Sequence, residues 1–212
     1  MDEVIAVVDR LRSPGGCPWD RAQTHQSLAK YLLEESYETV EAIEDGDYVL
    51  LREELGDLLL QVLLHARLAE EAQPDQRFSI DEVADDLAAK MIRRHPHVFA
   101  DAVANDADEV NANWERLKSV EKQRESVTDG VPLAQPALSL AGKLISRVGR
   151  SELVLDFTAT SGSPADEIGQ RLFDIVAEAV AAGVDPESAL RETTRGYRRA
   201  ILAAEGGGAT DE

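Results

Sequence analysis

One cysteine, Cys17, stands in a chain of 212 residues, so no disulfide can form within it. Aromatic residues make up 5% of the chain, and no stretch sustains the period-two alternation of β-branched and aromatic side chains that strands require. Apolar runs are too short for a membrane span, and Asp2 and Glu3 follow Met1 where an export signal would carry positive charge. The expected setting is therefore the cytoplasm, with no membrane partner. Basic residues are scarce too: 22 Lys and Arg stand against 41 Asp and Glu, a formal net charge of -19. Such a surface repels phosphate backbones, which argues against nucleic acid as a partner. An anionic substrate would need a cation as mediator.

What is present is helical periodicity. Residues 3–12 place Val4, Ile5, Val8 and Leu11 on one face, and Ser13-Pro14-Gly15-Gly16-Cys17-Pro18 breaks that helix. A helix over about 26–44 and another over about 49–72 flank Asp45-Gly46-Asp47, a turn signal that predicts an antiparallel αα-hairpin. Ser79 with Glu82 reads as a capping box for a third helix ending before Pro96, and a fourth runs over about 108–125. Beyond residue 126 come linker-like text and helical segments at about 137–149, 164–183 and 186–205, then a tail over 206–212 expected to be disordered. The fold class is an all-α antiparallel helical bundle, with one helical region over 1–125 and a C-terminal helical region over 126–212.

The hairpin carries the chemistry. Glu35 and Glu38 are three residues apart, as are Glu54 and Asp57, so each pair projects from one face of its helix and the two pairs can face each other. The second helix is apolar around most of its circumference and is expected to be buried nearly all round. Its one polar stripe is Glu54, Asp57, Gln61 and His65. Four carboxylates cannot share a dry space while ionised, and no basic residue lies on that stripe. A divalent cation resolves the conflict. Oxygen ligands favour Mg²⁺, or Mn²⁺ as a substitute. Glu41 and Glu44 read as a solvated face. No HExxH, P-loop, GxGxxG or Glu-x-x-His pattern occurs.

EESYE at 34–38, fifteen residues, then ELGD at 54–57 resembles the EExxE…ExxD signature of the MazG-type all-α nucleoside triphosphate pyrophosphohydrolases. GCPWD at 16–20, QTHQSL at 23–28, YLLEE at 31–35, LREELGDLLLQV at 51–62, KMIRRHPHVF at 90–99 and NWERLK at 113–118 agree with it. The resemblance covers roughly residues 1–125. It implies a dimer-forming helical fold, Mg²⁺ dependence, metal ligation by Glu35, Glu38, Glu54 and Asp57, and hydrolysis of nucleoside triphosphates to monophosphate and pyrophosphate, with broad specificity suited to cleaning the nucleotide pool. Glu34 or one of the ligands would orient the attacking water. Lys90 and Arg94 would contact the triphosphate, although helix-dipole compensation explains them equally well from sequence. Trp114, with Lys118 one turn on, would contact the nucleotide, and Tyr31 of YLLEE joins the substrate-binding set; a core role for Trp114 stays open. Trp19 is read as pinning its loop, His95 and His97 as structural, and Cys17 as inert.

Related alternatives are a phosphoribosyl-ATP or dUTP pyrophosphohydrolase, against which GCPWD and RRHPHVF argue. An alternative of another kind is a metal-stabilised interaction module without activity. In the C-terminal region, Glu167-Ile168-Gly169-Gln170 echoes Glu54-Leu55-Gly56-Asp57 with an amide in place of the aspartate, and Arg195 to Arg199 echoes Lys90 to Arg94. The 137–150 segment has no acidic residue, so this region reads as a degenerate partial repeat unable to hold Mg²⁺.

Overall fold

The computed structural model describes residues 1–102, 106–121, 125–155, 157 and 162–206. Every regular element among them is a helix. The chain divides into two compact units, Met1–Glu115 and Arg116–Glu212, with the helix Ala107–Glu121 running across the division.

In the first unit α1 (Asp2–Arg12) ends where the chain doubles back on itself. The Cys17 N–H donates to the Leu11 carbonyl at 2.7 Å, and a Cβ at Gly16 would lie 2.3 Å from the Arg10 and Leu11 carbonyl oxygens. Only glycine permits that approach. The returning segment forms a short helix, α2 (Pro18–Ala22), which the breaker text of the sequence did not announce.

The hairpin follows. α3 (His25–Asp45) starts with a capping box between Thr24 and Ser27 and stops at Gly46, whose φ of 67° is the left-handed conformation of a helix C-terminus. Asp47 then caps α4 (Tyr48–Ala69), accepting from the N–H groups of Val49 at 2.9 Å and Leu50 at 3.0 Å. One helix therefore ends and the next begins within two residues, which forces them to pack antiparallel. α5 (Ile80–Arg94) has the Ser79–Glu82 capping box expected from sequence. Pro96 starts α6 (Pro96–Phe99), another helix that sequence reasoning missed, and α7 (Ala107–Glu121) follows.

The core of this unit joins Val8 of α1, Leu28 of α3, and Leu63 and Leu64 of α4, with Ile5, Tyr31, Leu59 and Ile80 packed against them. Leu28 is fully buried, which contributes about 2 kcal/mol of transfer free energy. One expectation needs correcting: α4 is not buried nearly all round. Leu55 is 52% and Val62 42% exposed. Among the described residues, the helices packed on α4 are α1, α3 and α5, and they leave that strip uncovered.

The second unit holds α8 (Ala137–Gly149), α9 (Pro164–Ala181) and α10 (Pro186–Gly206). Val176 is buried, and Gly142 lies against Val180 and Pro186. The linker-like text before α8 is tied down: buried Arg147 donates to the carbonyl oxygens of Val127 at 2.9 Å and Asp129 at 2.8 Å. Of the tail expected to be disordered, Gly206 closes α10 and residues 207–212 lie outside the described residues.

Candidate active site

The antiparallel hairpin brings Glu35 and Glu38 of α3 against Glu54 of α4. Each offers a carboxylate oxygen within 4.8 Å of the other two. Asp57 stands a step outside that trio but is close enough to act on both Glu35 and Glu54. The inward stripe expected on α4 is present: Glu54 is 8% and Gln61 5% exposed, and Asp57 and His65 are half-buried. Glu34, one residue round the helix from Glu35, is exposed, as are Glu41 and Glu44.

The electrostatics follow from this crowding. Glu35 has its carboxyl raised above the ordinary 4.5, first by burial, then by the charges of Asp57 and Glu38 and a hydrogen bond with Glu38. Glu54 is raised from the same value, again first by burial and then by Glu38, Asp57 and Glu53. Every neighbour that acts on these two groups pushes in one direction, because none of them is a cation. An all-oxygen set of this kind fits a hard divalent cation better than zinc or copper.

Further along the stripe, Gln61 Oε1 and His65 Nε2 are buried with no hydrogen-bond partner among the described residues. The other ring nitrogen of His65, Nδ1, lies 2.8 Å from His25 Nδ1, with the rings stacked at 5.1 Å. Burial, then His25, holds His65 below its usual range. The His25–His65 contact went unnoticed in the sequence, yet the hairpin register implies it. Glu35 faces Glu54, and stepping ten residues back on α3 and eleven forward on α4 lands on His25 and His65.

The remaining candidates separate into groups. Arg94 is 7% exposed, and its guanidinium lies 5.0 Å from the centre of the Trp114 ring. Lys90 is half-buried near the end of α5. The His95 ring packs edge-on against Trp114 and His97, and its Nδ1 contacts the Met91 carbonyl at 2.7 Å, which is the structural use expected. Trp114 is therefore half-buried inside an aromatic and cationic cluster, a contact that helical spacing alone did not reveal. Lys118, half-buried, lies on α7 beyond the division between the units. Tyr31 packs on the core, meets Trp19 edge to face at 5.8 Å and carries Lys30 Nζ over its ring at 4.5 Å. Trp19 is half exposed, so its packing role is one-sided. In the second unit Glu167 is exposed and Gln170 Nε2 donates to Asp174 Oδ1 at 2.7 Å.

A helical hairpin that converges carboxylates from both arms on one point, with a cation-rich helix end at Lys90 to Arg94 in the same unit, defines an all-α carboxylate-hairpin protein. The description of a MazG nucleotide pyrophosphohydrolase domain matches residues 23–99. The chain is 50% identical over 205 residues to a 26.1 kDa protein of Streptomyces cacaoi, covering 96% of this chain and 82% of that one. It is 39% identical over 216 residues to the nucleoside triphosphate pyrophosphohydrolase/pyrophosphatase MazG of Thermotoga maritima, covering 92% and 82%. To the nucleoside triphosphate pyrophosphohydrolase of Mycobacterium tuberculosis it is 43% identical over 203 residues, 96% of this chain but 57% of the longer relative. The chain belongs to the MazG family.

Proposed function

We propose that this protein is a hydrolase that cleaves nucleoside triphosphates to nucleoside monophosphate and pyrophosphate, depends on Mg²⁺ with Mn²⁺ as a substitute, and accepts several bases in the manner of a nucleotide-pool cleaner. The observation that carries this reading is the convergence of Glu35, Glu38 and Glu54 within 4.8 Å, with Asp57 beside them and, among the described residues, no cation acting on Glu35 or Glu54. Those four residues would hold the metal. The chemistry it supplies there is neutralisation of phosphate oxygens and a lowered pKa for the attacking water.

The chain's own residues do the rest. Glu34, or one of the liganding carboxylates, orients the water. Lys90 offers a point charge to phosphate oxygens. Arg94, whose guanidinium lies over the Trp114 ring at 5.0 Å from its centre, would add a second charge that can meet phosphate oxygens in a bidentate way. Tyr31 and Trp114 would each contact the nucleoside, and Lys118, further along α7, would offer a charge to the nucleotide. Electrostatic stabilisation of the charge that develops on the leaving pyrophosphate is the main source of rate.

The exposed strip of α4 supports a homodimer or higher homo-oligomer. Leu55 and Val62 are joined by Leu33 and Ile43 of α3 as large apolar side chains left open by the single chain, and a second copy would cover them. Light scattering should give at least twice the monomer mass at micromolar concentration, and Leu55→Glu should reduce it; a monomer in the unaltered protein would contradict this.

The deciding experiment is a pyrophosphate-release assay on ribo- and deoxyribonucleoside triphosphates, dUTP and phosphoribosyl-ATP, with Mg²⁺, Mn²⁺ or EDTA. Release from several triphosphates with either metal and none in EDTA is expected. Turnover of dUTP or phosphoribosyl-ATP alone would favour the narrower enzymes, and no turnover at all would leave only an interaction module.

A further inference from the structure

In the second unit, α8 and the turn between α9 and α10 line an open cleft of about 490 Å³. One wall is a single face of α8 continued by the residue that ends it: Ser139, Lys143, Ser146 and, just past the helix, Arg150, at steps of four, three and four residues. The other wall is Val180, Gly183, Val184, Asp185 and Pro186.

The charge on the first wall is out of keeping with the rest of the chain. Against 41 acidic residues in the whole sequence, the 137–150 segment has none. The segment carries three cations, and they fall into two kinds. Arg147 is buried and bonds the carbonyl oxygens of Val127 and Asp129, a structural task. Lys143 and Arg150 form no ion pair among the described residues; Arg150 gives only its Nε, to the Ser146 carbonyl at 3.0 Å. The acid on the opposite wall, Asp185, caps α10, its Oδ1 accepting the Ser188 N–H at 2.8 Å, and pairs with neither cation among the described residues. A half-buried lysine and an exposed arginine, neither with an acidic partner among the described residues and with hydroxyls beside them, favour an anion.

The spacing selects among anions. Lys143 and Arg150 are seven residues apart, so their backbones are about 10 Å apart along the helix. A diphosphate lying along the stripe spans more of that separation than a single phosphate does and leaves each cation its own phosphate group, with the Ser146 hydroxyl between. Val180, Val184 and Pro186 offer an apolar surface beside it. We propose that this cleft binds a diphosphate group, either as inorganic pyrophosphate or as the phosphate end of a nucleoside diphosphate. The site lies wholly in the second unit and does not depend on how the carboxylate hairpin functions.

The test is titration of the full chain with inorganic pyrophosphate, ADP and AMP in EDTA, where the acidic hairpin repels anions, followed by amide NMR shifts and calorimetry. Pyrophosphate or ADP should bind at one site per chain at least about tenfold more tightly than AMP, and Gly142 and Gly183 should shift while Gly56 does not. Lys143→Ala with Arg150→Ala should weaken binding at least about tenfold. Lys143→Glu alone should do the same, and circular dichroism verifies that each variant is folded. ADP binding more tightly than pyrophosphate identifies a nucleotide ligand, and equal binding identifies the inorganic anion. No saturable binding up to millimolar concentration, unchanged binding in the folded variants, or shifts confined to α3 and α4 would overturn the proposal. Glu38→Gln should leave this binding intact even if it abolishes hydrolysis, so the two readings fail separately.

Discussion

Glu54 and Glu71 lie near opposite ends of α4, and their carboxyl groups are displaced in opposite directions. Glu54 sits among Glu38, Asp57 and Glu53 and is raised. Glu71, just past the helix, is lowered, first by its hydrogen bond with Arg12 and then by the charges of Arg12 and Arg67. Arg12 is buried and grips both Glu71 oxygens at 3.1 and 2.9 Å while also donating to the Asp20 carbonyl. Arg67 reaches Asp9 at 2.7 Å and Glu71 at 3.1 Å. At this end acids and cations close the bundle by fastening α1 to α4. At the other end acids converge with no cation among the described residues acting on Glu35 or Glu54, a cost to stability that a purely structural cluster would not carry. The contrast teaches that an acidic cluster is informative through what it lacks: where carboxylates tie α1 to α4, arginines meet them.

The sharpest way to break the comparison is at the hairpin. Glu38→Gln or Asp57→Asn should lower pyrophosphate release at least about a hundredfold with the helical circular dichroism spectrum unchanged. Retained turnover would end the assignment of the site.

Next in size is the structural end. Glu71→Gln leaves the Arg12 guanidinium with a weaker acceptor and should cost about 1–2 kcal/mol, read as a lower urea midpoint with an unchanged slope. Glu54→Gln should act in the opposite sense in metal-free protein, raising the midpoint because it removes a repelling charge. If both variants shift the midpoint in the same direction, the two ends do not differ as described.

The pH dependence of metal-free stability follows from the same two signs. Glu71, depressed in the folded state, stabilises fully above its ordinary 4.5 and loses that contribution as pH falls through its lower folded value. Glu35 and Glu54, raised in the folded state, penalise folding while ionised, and the penalty is relieved as pH falls through their raised values toward 4.5. Stability should therefore rise on mild acidification and fall on stronger acidification. Glu54→Gln should flatten the upper arm and Glu71→Gln the lower. Mg²⁺ should remove the upper arm by raising the melting temperature at neutral pH by a few degrees, about 2–4 °C for each kcal/mol of binding linkage. A melt insensitive to both Mg²⁺ and Mn²⁺ would count against a preformed site.

The smallest effect is expected in the echo of the signature. Glu167→Gln, at an exposed position on α9, should leave turnover unchanged within assay error. A large loss would mean that the second unit takes part in catalysis.

Much of this was legible in the sequence because the determining interactions are local. Ser79 with Glu82, and Asp47 with the N–H groups of Val49 and Leu50, announce helix starts through hydrogen bonds spanning at most three residues. The three-residue spacing of Glu35 and Glu38 places them on one helix face whatever the rest of the chain does. Asp45-Gly46-Asp47 fixed the hairpin, and with it the confrontation of the two acidic pairs. The tertiary structure decided what depends on contacts between distant residues. Arg12 meets Glu71 across 59 residues, His25 meets His65 across 40, and Arg94 lies over Trp114 from another helix; no periodicity encodes a pairing between elements. Packing also decided which side of α4 stays uncovered. An apolar side chain records that burial is favourable but not what buries it, and for Leu55 and Val62 no other part of the described chain does.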